Sequence, residues 1–121
     1  MRKLYVCSKN MGGDGARLIG ILSEEEGKYQ FEYRLGGILH EWFLKIEEFP
    51  DLSRIYLDAE VRPFVERIIP RRESRYIHGF LKAAELEQYD EWEFLKYCGA
   101  HNMREDAYLY ECLPDGVIRY D

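Results

Sequence analysis

From residue 28 to residue 35 the chain alternates strictly, with Tyr29, Phe31, Tyr33 and Leu35 set against Lys28, Gln30, Glu32 and Arg34. A period of two predicts a half-buried strand that puts its apolar side chains on one face. Two β-rich runs precede it, KLYVC at 3–7 and RLIGIL at 17–22. The SEEEG stretch at 23–27 predicts a hairpin loop between the second and third runs, with Gly27 free to take positive φ. Together the three predict an antiparallel meander. GGDG at 12–15 leads into a strand, not a helix, and no Lys-Ser/Thr follows it. It therefore reads as a hairpin loop and not as a phosphate cradle.

Residues 36–57 are the least regular. Gly36-Gly37 end the third strand, Pro50-Asp51 mark a turn, and HEWFLKI at 40–46 predicts a short fourth strand with His40, Trp42, Leu44 and Ile46 on one side. The period then changes. Val61, Phe64, Val65, Ile68 and Ile69 fall at i, i+3, i+4, i+7 and i+8, one apolar stripe of a helix. Pro63 leaves two possible starts: Asp58 caps a first turn that Pro63 deforms, or the helix begins at Pro63. Pro70 ends it. Ser74 is the expected N-cap of a second helix with the stripe Ile77, Phe80, Leu81 and Ala84. Asp90 with Glu93 resembles a capping box for a third helix, and Gly99 suits the left-handed position after its end. AYLYECL at 107–113 predicts a strand, closed by Pro114-Asp115-Gly116. The expected fold is α+β: an N-terminal antiparallel meander, a last strand returning to the sheet, and about three short helices packed on it. At 121 residues we expect one domain, 1–121, able to bury a core without staples.

Composition alters this picture in two places. Aromatic residues reach 15%, which calls for either a thick core or an adhesive surface. Net charge is −6, which argues against general nucleic-acid binding. Yet residues 62–75 carry Arg62, Arg67, Arg71, Arg72 and Arg75 against Glu66 and Glu73, five positive charges against two negative. That stretch reads either as a solvated helix end or as a dock for an anion or an acidic partner. The absence of a long apolar run or an export-type N-terminus points to a soluble, cytoplasmic chain.

The candidate chemistry is sparse. Cys7, Cys98 and Cys112 are odd in number and widely spaced, a poor disulfide framework and a better fit to reduced thiols. Cys98-x-x-His101 offers one close pair for zinc, and no second pair exists. As a nucleophile Cys98 stands at a helix C-terminus, where the dipole disfavours a thiolate. Cys112 alternates with Tyr108 and Tyr110, so both thiols read as small hydrophobes. His40 has no second ligand near it. No catalytic, metal or cofactor set is expected, although an enzyme using Cys98 or His101 remains a third reading.

Three longer stretches, LIGILSEEEGKYQFEYR (18–34), EVRPFVERIIPRRE (60–73) and YDEWEFLKYCGAHNMREDAYLYECLPDG (89–116), together resemble the N-terminal domain of HipA-like proteins. FPDLSRIY (49–56) is similar to a related bacterial segment found ahead of HIRAN domains. The chain departs from the HipA pattern at GAHNMRED, where that family has a small-residue turn. In HipA-like toxins this domain precedes a serine/threonine kinase core, and in split systems a similar small domain regulates the kinase from a separate polypeptide. The resemblance thus implies a non-enzymatic interaction domain whose partner is a protein, a HipA-like kinase first among them. Expected partner contacts are Trp42, Arg71, Arg72, Arg75 and His101, residue types favoured at interface hot spots or placed in the turn. The alternative is an accessory of a DNA-processing or defence system that binds nucleic acid through the arginine patch.

Overall fold

The computed structural model describes residues 1–8, 17–34, 46–101 and 107–117. The GGDG loop, most of the HEWFLKI strand with His40 and Trp42, and the turn at 102–106 lie outside the described residues. Within them run β1 (Arg2–Ser8), β2 (Leu18–Glu25), β3 (Lys28–Tyr33), β4 (Tyr56–Leu57), α1 (Asp58–Ile68), α2 (Ile77–Ala83), α3 (Glu91–Ala100) and β5 (Ala107–Tyr110). The strands form one antiparallel sheet in the order β4-β3-β2-β1-β5. The expected α+β class and meander are observed, and the last strand returns beside the first.

The hairpin forms as its residues dictate. Glu25 pairs with Lys28, leaving a two-residue loop in which Glu26 and Gly27 have φ of 52° and 80°. Positive φ at both positions is the turn whose twist matches the flanking strands. The register then sorts side chains by face. Leu4, Val6, Leu22, Tyr29, Phe31, Tyr56 and Leu109 point to the side that the helices cover, and all are buried. Tyr5, Cys7, Tyr108 and Tyr110 occupy the other face.

The core is an aromatic stack. Phe49 lies face to face with Phe31 at 4.3 Å between centroids and also meets Tyr56 at 4.8 Å and Phe64 at 5.2 Å. Much of the aromatic surplus is therefore core. Each such ring, fully removed from water, contributes about 1.5–3 kcal/mol before entropy is counted.

Three local expectations are corrected, one open choice is settled and one element is new. β4 was not anticipated, because two residues show no periodicity. Helix α1 starts at Asp58, five residues before Pro63, with Val61, Phe64, Val65 and Ile68 buried. The first turn survives the proline because Asp58 is held from two sides, by the Tyr29 amide and by Arg62. Ser74 does not cap α2. Its hydroxyl accepts from the Tyr76 amide and its carbonyl from Ile77, so it makes a turn and the helix begins at Ile77. Gly99 lies inside α3, which runs on to Ala100 with His101 as its cap. A Cβ at Gly99 would come 2.4 Å from Leu109 Cβ, so its role is to let α3 lie close on β5. Lastly, β5 stops at Tyr110 and Cys112 is exposed, not a member of the strand face.

Candidate functional site

Pro70 ends α1 because Ile69 before it is extended, with φ −90° and ψ 155°. The chain then folds into a turn closed by Ser74 N–H donating to Arg71 O at 3.0 Å. Tyr89 holds this turn from the other side, since its hydroxyl donates to Pro70 O at 2.7 Å while its ring packs on Phe94. Burial first, and the Glu91 carboxylate second, push the Tyr89 phenol above its ordinary range, so the hydroxyl remains a donor.

On this frame stand the arginines. The Arg72 guanidinium carbon lies 4.3 Å from the centre of the Tyr89 ring. Arg75 lies over the ring of Tyr76 at 4.8 Å and also donates to the Tyr76 hydroxyl at 2.6 Å. Tyr76 itself is 60% exposed. Arg71 and Arg72 line an open groove of about 630 Å³, together with Pro63, Ile69, Glu66 and Glu73.

The five arginines of the 62–75 stretch divide into two groups. Arg62 belongs to the fold: it pairs with Asp58 at 3.2 Å and Glu91 at 3.5 Å and donates to Gly27 O at 2.8 Å. Arg67 pairs with Glu47 and Glu48. Among the described residues, Arg71, Arg72 and Arg75 have no carboxylate partner, whereas Arg2, Arg34 and Arg54 each have one. Glu66 and Glu73 likewise have no cationic partner among the described residues. The unpaired cations of the stretch thus narrow from five arginines to three among the described residues, two of them resting on tyrosine rings, with Glu66 and Glu73 left beside them. Sequence counting could not make the whole division: Asp58 stands four residues before Arg62 on the same helix, but Glu91, Gly27 O, Glu47 and Glu48 come from other elements.

The other candidates lie apart. His101 sits exposed at the C-terminus of α3, its ring stacked on Tyr97 at 4.2 Å and its Nδ1 2.8 Å from Tyr97 O. It is the length of α3 away from the helix N-terminus beside Tyr89, about 15 Å, so it does not join the arginine groove. Trp42 lies outside the described residues. Cys98 is fully buried on the core side of α3, and burial pushes its thiol up to about 11. Cys7 is buried on the opposite face of the sheet, across from Tyr108. Among the described residues no three His, Cys, Asp or Glu are grouped to hold a metal ion, and no helix is long and apolar enough to cross a membrane.

A second polar cluster ties the hairpin to the helices. Tyr29 hydroxyl donates to Glu91 at 3.1 Å, Arg62 lies over the Tyr29 ring, and Glu24, nearly buried, pairs with Arg2 and accepts from Gly27 N–H. Its members satisfy one another, which is the mark of a structural network. Comparison with family models, curated proteins and solved structures finds no match to this chain.

Proposed function

We propose that this chain is a non-enzymatic interaction domain that docks a protein partner through Arg71, Arg72 and Arg75, and that a HipA-like kinase is the first partner to test. One observation carries the docking reading. These three arginines have no carboxylate partner among the described residues, whereas Arg2, Arg34, Arg54, Arg62 and Arg67 each have one, and two of the three are held ready on tyrosine rings. Arginine and tyrosine dominate interface hot spots, and a guanidinium already stacked loses less freedom when it engages a partner. The kinase comes from the HipA-like sequence resemblance alone.

The test is recovery of the tagged chain from its native host under mild conditions, beside an R71E/R72E/R75E variant whose circular dichroism matches the parent. The reading expects a kinase-like protein with the parent chain and its loss from the variant. Recovery of the parent alone, or equal recovery of the kinase by both, would overturn it. Truncating hot-spot side chains costs about 2 kcal/mol each in binding, so the charge-reversed triple variant should lose nearly all association.

A further inference from the structure

We infer that Arg71 and Arg72 form an oxyanion-binding site for a peptide segment bearing one phosphate or carboxylate flanked by basic residues. This deepens the docking role proposed above and rests on it. A guanidinium is planar, and stacking occupies only a face. Arg72 over Tyr89 makes no hydrogen bond or ion pair among the described residues, so its N–H donors remain available for the forked, bidentate contact that phosphate and carboxylate oxygens accept. The support beneath is rigid, because the same Tyr89 is bonded to Pro70 O and packed on Phe94. Arg71 lines the same groove and has no anionic partner among the described residues, so both cations are open to one ligand. Pro63 and Pro70 stand beside the arginines in the lining of the same groove.

The carboxylates decide which anion fits. Glu66 and Glu73 line the groove beside the arginines and have no cationic partner of their own among the described residues. A polyanion laid along the groove would meet them, and the whole chain carries −6. Nucleic acid, with a charge at every phosphate, is therefore disfavoured. A single oxyanion with Lys or Arg beside it satisfies both sets of charges. Repulsive and attractive groups together set specificity in this way.

Fluorescence anisotropy tests the site with the full chain and short labelled peptides. The probes carry a central phosphoserine, glutamate or unmodified serine between lysines, a phosphoserine between glutamates, and a single-stranded oligonucleotide for comparison. The phosphoserine peptide with lysines should bind about tenfold or more tighter than its serine counterpart, the difference made by one charged hydrogen-bonded group. The glutamate probe separates the two sources: binding of both anions assigns an acidic or phosphorylated segment, and binding of phosphoserine alone assigns a phosphorylated one. R71Q/R72Q should abolish the preference, and E66Q/E73Q should remove the discrimination against glutamate flanks while binding is retained. Equal binding of the serine peptide, or tighter binding of the oligonucleotide than of any peptide, overturns the inference. Recovery of the kinase together with an inert peptide series would discard the oxyanion site and leave the docking reading standing. Peptide binding without the kinase would do the reverse.

Discussion

Asp58 joins three parts of the fold, and its replacement is the sharpest test of how the fold is held. Leu57 pairs with Gln30, so the next residue, Asp58, stands opposite Tyr29 at the point where β4 turns into α1. There the carboxylate takes over from the backbone: Tyr29 N–H donates to Asp58 Oδ1 at 2.9 Å, and Arg62 Nε donates to Oδ2 at 3.2 Å. Asp58→Ala leaves the Tyr29 amide without its acceptor, and a hydrogen bond to a charged group contributes about 1.5–3 kcal/mol. The acid in the first turn of a helix adds about 0.3–1 kcal/mol. The half-exposed pair with Arg62 adds no more than about 0.5 kcal/mol. These terms share atoms and do not simply add, so the expected loss is about 2–3 kcal/mol. Asp58→Asn keeps an acceptor oxygen and loses the charge, so it should fall by roughly half as much.

The pH dependence follows from the same contacts. The Tyr29 amide, and then the bond and charge of Arg62, outweigh burial and hold the Asp58 carboxyl below its ordinary value of 3.8. A carboxyl depressed on folding stabilises the native state fully above its unfolded value, and that share is lost as pH falls through the folded value. Urea unfolding of the parent, D58N and D58A at about pH 7 and about pH 3 measures this directly. The gap between the parent and D58N should narrow at the lower pH. A D58A variant within about 0.5 kcal/mol of the parent, or one indistinguishable from D58N, would refute the reasoning.

Gly99→Ala should destabilise the protein by about 1–2 kcal/mol, because overpacking against Leu109 outweighs the roughly 1 kcal/mol that alanine gains over glycine in a helix. An unchanged or higher Tm would show that α3 and β5 can part without loss. Tyr33→Phe removes the hydroxyl that donates to Phe49 O at 2.6 Å and accepts from Ile46 N–H at 3.2 Å. It should cost about 1–2 kcal/mol and speed hydrogen exchange at the Ile46 amide, so unaltered exchange there would count against that pin. A chromogenic disulfide reagent should find one fast thiol in the native protein, Cys112, with Cys7 and Cys98 reacting only on unfolding. Loss of the fast phase in Cys112→Ser checks the assignment, and rapid modification of Cys98 would contradict its burial and raised pKa.

What was legible in the sequence is what repeats locally. The alternation at residues 28–33 placed Tyr29 and Phe31 on the core face, the spacing of Val61, Phe64, Val65 and Ile68 placed the stripe of α1, and Asp90 capped α3 through Glu93 N–H as its position suggested. Periodicity and capping act over a few residues, so a linear pattern carries them. Gly99 shows the limit. Its place near a helix end suited a left-handed cap, but a side chain ten residues further on decided that it should admit Leu109. β4 and Ser74 fail for the same reason, since pairing with β3 and the turn after Pro70 settle their conformations.

The arginines divide in this way too. Composition determined that residues 62–75 hold an excess of positive charge inside an acidic chain, and the linear order marks out Arg62 alone, by Asp58 four residues before it. Helix periodicity brings Asp58 to Arg62, but only the tertiary structure brings Glu91 and Gly27 O to Arg62 and Glu47 and Glu48 to Arg67, while it sets Tyr89 beneath Arg72 and leaves Arg71 and Arg75 without a carboxylate among the described residues. Charge is a property of each residue and can be counted along the chain. Neutralisation depends on separations of a few ångströms between groups far apart in sequence, and folding alone sets those.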